Sequence, residues 1–163
     1  MQDEASGAPG AGRDTPGIVA PPPLVYLGAL AVGFGLDAVL PSASFSATLS
    51  AALGWPLLVA GLGLMGSFVA AFRRGHTPVD PYKASTAIVT DGPYRLSRNP
   101  GYLGMALVSA GIAVLANAPW ALLPLPVAVL VIDRGVIARE ERYLERRFGD
   151  EYLRYKARRR RWI

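Results

Sequence analysis

The chain has 163 residues, 52% of them apolar, and carries 17 Lys and Arg against 12 Asp and Glu for a net charge of +5. That length suits one domain; the absence of Cys excludes disulfides, thiolate nucleophiles and Cys-based metal sites, and the single His76 excludes a His-rich metal centre. The charges are segregated along the sequence rather than spread, which excludes the evenly wetted surface of an ordinary soluble domain.

In chain order, residues 1–20 begin Met1-Gln2-Asp3-Glu4 and continue through Gly, Ala and Pro. The start is acidic where a secretory signal is basic, and the composition predicts a disordered tail. Residues 21–163 read as one membrane domain. The run 22–40 holds one charge, Asp37, and the run 49–72 holds none. The second is about 24 residues, or roughly 36 Å as a helix, enough to span a hydrocarbon core with some tilt. Inside it Gly61-Leu62-Gly63-Leu64-Met65-Gly66 matches GxGxxG, but that fingerprint needs a strand turning into a helix under a pyrophosphate. Within an apolar run these glycines predict a helix-packing face.

After a polar connector at 73–99 come apolar helices over 100–117 and 119–139, separated by Asn117-Ala118-Pro119. The uncharged, mainly apolar stretch 102–132 is about 31 residues, so each leg is roughly 20 Å, short of a core near 30 Å. Pro124 and Pro126 predict a bend in the second leg with a cavity beside it. Residues 140–163 predict an amphipathic helix.

Five of the Lys and Arg lie in 73–98, eleven in 134–161, and Arg13 is the other. With four spans both basic segments fall on one side, which the positive-inside rule makes cytoplasmic. The predicted fold is all-α integral membrane: four transmembrane helices, the last two a tight hairpin, then a cytoplasmic amphipathic helix, with both termini cytoplasmic. The bilayer is the expected partner, nucleic acid is not, and the oligomeric state is open.

The polar segments carry the chemistry. Asp91-Gly92-Pro93 is a turn signal. Asn99-Pro100 before an apolar run is a helix start, with Asn99 as N-cap and Pro100 at the first helical position. The third helix then turns its free N–H groups and positive end to the basic side, which favours an anion there. Past the hairpin, Asp133, Ile137, Glu140 and Leu144 recur at three- and four-residue steps and share a predicted helix face. A carboxylate facing a membrane cavity is expensive without a partner, which makes Glu140 a functional candidate. A blander reading stands beside this one: Arg95 and Arg98 meet lipid phosphates, and Tyr94 and Tyr102 are interfacial aromatics. The basic run 154–162, ending in Trp162, reads as a membrane-surface anchor, and Asp37 has no role in this reading.

Three blocks in order, Gly92-Pro93-Tyr94-Arg95, Ser97-Arg98-Asn99-Pro100-Gly101-Tyr102-Leu103-Gly104 and Glu140-Glu141-x-x-Leu144 with Phe148-Gly149-x-x-Tyr152-x-x-Tyr155, flank the hairpin. Over residues 77–159 the chain resembles the isoprenylcysteine carboxyl methyltransferase family and its phospholipid methyltransferase relatives. The resemblance implies a membrane enzyme that moves a methyl group from S-adenosyl-L-methionine to a lipid-like or small apolar acceptor. It implies cofactor contacts at Thr86, Ala87, Ile88, Val89, Tyr94, Asn99, Pro100, Gly101, Tyr102 and Glu140. Members acting on prenylated cysteine usually have His where this chain has Asn99. The family arginine that meets the acceptor carboxylate aligns near Val136, which leaves Arg134 or Arg139 as displaced catalytic candidates. An acceptor needing a base would have Glu141, His76, Asp80 or Asp133. The rival expectation is a non-enzymatic membrane scaffold or transporter-like subunit whose basic segments only set topology.

Overall fold

The computed structural model describes residues 17–40, 44–76 and 86–163, and among them every regular element is a helix. The expected tail, apart from 17–20, and Asp80 lie outside the described residues. Helix α1 spans Pro22–Val39 and α2 spans Ala47–Arg74, whose first turn is capped by the Ser46 side chain accepting from the Leu49 N–H. Helix α3 is Pro100–Leu115. A 3₁₀ turn, Pro119–Leu122, leads into α4, Leu125–Ile132, which continues through a π turn, Asp133–Ile137, into α5, Ala138–Phe148. Helix α6 is Asp150–Arg158.

Three of these stretches, Pro22–Val39, Ala47–Arg74 and Pro119–Phe148, are long and apolar enough to cross a membrane, and α3 is apolar but shorter. Large apolar side chains such as Leu24 and Leu27 on α1, Val59 and Leu62 on α2, and Val127 and Leu130 on α4 point outward. Helices apolar on every side with such faces uncovered suit hydrocarbon, not water. The molecule is a membrane protein.

Helix α3 is the central element: it packs along α2 and also meets α1 and α4. Small residues make the α2–α3 contact close. A Cβ on Gly61 would lie 2.7 Å from the Val108 nitrogen and 2.8 Å from the Gly104 oxygen, and one on Gly111 would lie 3.0 Å from the Gly54 oxygen. Gly54 thus opposes Gly111 and Gly61 opposes Gly104, seven residues apart on each helix, an antiparallel seam at heptad spacing. Of the GxGxxG triplet only Gly61 belongs to this seam, because Gly63 and Gly66 face open space. The expected packing face is therefore corrected: its register is set by Gly54 and Gly61, not by the triplet.

The end of the molecule away from the basic segments is fastened by polar contacts. Asn117 adopts φ 55° and ends α3 with Asn117 N–H donating to the Val114 carbonyl and Ala118 N–H to the Ala113 carbonyl, a Schellman closure that Asn tolerates. Its amide also exchanges two hydrogen bonds with the Phe45 backbone, at 2.8 and 3.1 Å. Asp37 accepts from the Trp120 N–H at 3.4 Å, so this carboxylate caps the 3₁₀ turn. Pro124 and Pro126 do not bend a helix: they occupy its entry and first turn, where a missing N–H is harmless.

Candidate functional site

At the basic end, the segment before α3 is shaped by its turn residues. Gly92 adopts φ 60°, opening a 3₁₀ turn over Gly92–Arg95. Pro93 is buried, and Tyr94 is held through its carbonyl, which accepts from the Tyr155 hydroxyl at 3.0 Å. The Tyr94 ring lies 6.3 and 5.9 Å, centroid to centroid, from Phe68 and Phe72 at the end of α2, which are 4.9 Å from each other. Phe68 also covers the start of α3, since a Cβ on Gly101 would meet its ring at 3.3 Å. The result is an aromatic wall beside the amino end of α3. Burial, with the Glu140 charge second, pushes the Tyr94 phenol well above its ordinary pKa; burial pushes Tyr155 up to about 12, against the opposing effect of Arg98 and Arg159. Both phenols therefore stay protonated donors.

Across from the wall, the Tyr102 hydroxyl donates to Glu140 at 2.7 Å, joining the first turn of α3 to α5. The Tyr26 hydroxyl of α1 donates to the Tyr102 carbonyl at 3.2 Å. Glu141 faces elsewhere. Its carboxylate meets Arg98 at 3.1 Å, Arg161 at 2.6 Å and Lys156 at 3.6 Å. Asp133 meets Arg161 at 3.1 Å and accepts from the Trp162 indole at 2.9 Å. The shared face expected for Asp133 and Glu140 is thereby corrected. The π turn at Asp133–Ile137 advances the register, so Asp133 lines up with Glu141 and both hold Arg161, while Glu140 turns to Tyr102.

Asn99 stands at the N-cap position of α3, but its side chain does not cap it. It donates instead to the Arg161 carbonyl at 3.0 Å, which also accepts from Ser97 at 3.2 Å, while the Arg98 N–H donates to the Arg160 carbonyl at 3.0 Å. Pro100 and Gly101 are buried at the helix start. Thr86 and Ala87 are exposed, and the Thr86 hydroxyl donates to the His76 carbonyl at 3.2 Å. Ile88 and Val89 are half-buried, with Val89 against Gly75 at the end of α2. Arg134 is 76% exposed and touches Asp133 at 3.5 Å. Arg139 is exposed and donates to the Gly17 carbonyl at 2.8 Å.

The structure thus brings Tyr102 against Glu140 and sets Tyr94 in the wall that covers Gly101, while Thr86–Val89 lies along the end of α2 and Arg134 and Arg139 lie outside. Sequence reasoning missed Arg98, Arg161, Trp162, Phe68 and Phe72. Arg98 is buried against Glu141, which argues against a lipid phosphate as its natural contact, and among the described residues its Nε and Nη1 have no hydrogen-bond partner. Arg158, Arg159 and Arg160 remain exposed, as a surface anchor requires, but Arg161 and Trp162 turn inward. The contacts of Arg161 reach back 62 and 64 residues to Asn99 and Ser97, beyond any local periodicity.

An all-helical membrane protein with one polar, aromatic-walled cluster at its basic end is the class that fold and site define. The family model described as phospholipid methyltransferase matches residues 49–151. The chain belongs to that family. An uncharacterized protein of Haemophilus influenzae is 44% identical over 62 residues, 38% of this chain and 98% of that protein. Protein-S-isoprenylcysteine O-methyltransferase A of Arabidopsis thaliana is 35% identical over 74 residues, 45% of this chain and 38% of that enzyme. The B enzyme of the same plant is 34% identical over 71 residues, 44% of this chain and 36% of that enzyme. The chain therefore spans well under half the length of the two plant enzymes. No solved structure matches it significantly.

Proposed function

We propose that this protein is a membrane methyltransferase that uses S-adenosyl-L-methionine and methylates a lipid-like or small apolar acceptor. The observation that carries the reading is the 2.7 Å contact between Tyr102 and Glu140, which ties the anion-favouring start of α3 to a carboxylate on α5 beside an aromatic wall. The donor set suits the cofactor's chemistry. Arg98 has buried donors unpaired among the described residues for a carboxylate, Glu140 is an acceptor for an ammonium or ribose hydroxyls, and Tyr94 offers an aromatic face to adenine or a sulfonium. Asn99, Pro100, Gly101 and Tyr102 frame the helix start, and Thr86, Ala87, Ile88 and Val89 form the strand of chain that runs up to it. When bound, the cofactor supplies an electrophilic methyl group.

The chain's own task is then to hold both reactants in line and keep water out, which is where most of the acceleration of such a transfer lies. Arg134 and Arg139, on the outer side of the same helix as Glu140, are the cations available to an acidic acceptor. Glu141 and Asp133 are already engaged by donors of the chain itself. We assign them to holding the site together rather than to moving a proton. The basic end is the cytoplasmic one, so the cofactor enters from the cytosol and the acceptor from the bilayer.

The purified protein in detergent micelles should bind S-adenosylhomocysteine, and Glu140→Gln should weaken that binding by about tenfold, the loss of one charge-assisted contact. A scaffold or transporter-like subunit would bind none. Methyl label from the cofactor should then appear in a lipid extract of cells holding the gene and be absent without it, which identifies the acceptor as well.

A further inference from the structure

Arg161 occupies a singular position among the described residues. Its guanidinium makes paired contacts to Glu141, at 2.6 and 3.2 Å, and to Asp133, at 3.1 and 3.3 Å, on the helix that bears Glu140. Its carbonyl accepts from Ser97 and Asn99, on the segment that begins α3. On one side Arg160 takes the Arg98 N–H, and on the other Trp162 donates to Asp133 while its ring packs against the Tyr26, Leu125, Ile132 and Val136 core. One residue therefore cross-links the two walls between which Tyr102 meets Glu140. A fork-shaped cation is required there: Glu141 and Asp133 are both carboxylates, and only a planar guanidinium presents enough donors in fixed geometry to serve both. The hydrogen bonds Arg161 donates to Glu141 raise the Arg161 pKa further, so the cross-link stays charged.

We infer that the segment Arg160–Trp162 is a clasp that positions the methyl-donor site. It fixes the distance between the start of α3 and Glu140, and it does so without touching the ligand. This rests on the reading that the donor binds between those two elements. The clasp also binds Asn99 through its amide, and this gives Asn at that position a role distinct from contact with the acceptor: an amide donor to a carbonyl of the clasp.

The test is calorimetric titration of the full chain in detergent with S-adenosylhomocysteine, which reads affinity and the fraction of competent protein separately. Arg161→Lys keeps the charge and removes the fork. It should weaken binding by about tenfold to a hundredfold, the worth of one charged hydrogen bond lost from the cross-link, with stoichiometry unchanged. Exposed Arg158→Ala should match the wild type. Should Arg161→Lys prevent folding, Trp162→Phe, which removes the indole donor to Asp133 and trims the ring that packs on the core, should weaken affinity in the same direction by a few-fold. Unchanged affinity, with or without lowered stoichiometry, overturns the clasp and leaves Arg161 a stabilising contact only. If the wild type itself binds no S-adenosylhomocysteine, the methyltransferase reading fails first, and the clasp falls with it.

Discussion

At the residue scale, the adjacent carboxylates Glu140 and Glu141 have separate fates. Glu141 is 6% exposed in its side chain and surrounded by Arg98, Arg161 and Lys156. Removing a carboxylate from such a buried cluster leaves uncompensated cations, which costs about 3–5 kcal/mol. Glu141→Ala should therefore lower the thermal midpoint in detergent and, because Arg161 loses its paired carboxylate, also weaken S-adenosylhomocysteine binding in whatever fraction remains folded. Among the described residues, the Tyr102 hydroxyl donates to Glu140. Tyr102→Phe should destabilise the protein by about 1–3 kcal/mol through the unsatisfied carboxylate, and a saturating ligand that bonds to Glu140 should restore part of the loss. Comparing the unfolding midpoint of Tyr102→Phe with and without S-adenosylhomocysteine checks this. An equal loss in both conditions would remove Glu140 from the ligand's surroundings.

At the element scale, α2 and α3 hold together because their backbones approach at Gly54, Gly61, Gly104 and Gly111. A Cβ at Gly61 meets backbone atoms at 2.7 and 2.8 Å, which cannot yield as a flexible side chain would. Gly61→Ala should destabilise by about 1–3 kcal/mol, the range for overpacking. Gly63→Ala, two residues on and facing open space, should be neutral or stabilise by up to about 1 kcal/mol through helix propensity alone. Unfolding midpoints of the two variants decide it, and the same ranking for both would contradict the seam. Helix α6 is docked by Tyr152, which is 3% exposed, and by the Tyr155 hydroxyl. Burial raises both phenols above their ordinary value of 10.0. A raised folded-state pKa gives stability that is complete below the unfolded pKa and is lost as pH rises toward the folded one. The protein should hold its stability to about pH 10 and lose it as the pH approaches 12, with Tyr155→Phe flattening that fall; tyrosinate absorbance followed with unfolding checks it.

At the scale of the whole molecule, the two basic segments are drawn to one end and the Asn117–Phe45 lock closes the other. Three stretches are long and apolar enough to cross a membrane; the fourth crossing, which we propose, would be α3, at 16 residues roughly 24 Å of helix. Because the chain has no Cys, single cysteines report sidedness without background. Ser44→Cys should react with an impermeant thiol reagent only from outside the cell, and Arg158→Cys only in inside-out vesicles. Labelling of both from one face would remove the four-span arrangement.

Much of this was decided by the sequence alone. Segregation of charge from apolar runs is a one-dimensional property, so helices, membrane and basic end are legible without coordinates, and the motif blocks single out Tyr102 and Glu140, which the fold brings into contact. What only the tertiary structure decided depends on contacts between residues far apart in the chain. No periodicity reveals that Gly61 opposes Gly104 while Gly63 does not, because which glycine faces a neighbour depends on how two helices rotate about their axes. A π turn leaves no composition signal, yet its extra residue moved Asp133 from the side of Glu140 to that of Glu141. A basic run ending in Trp looks the same whether it lies on lipid or folds inward. Arg161 folds inward because the buried Glu141 and the half-buried Asp133 need its charge more than the surface does, and that demand exists only once the helices have packed.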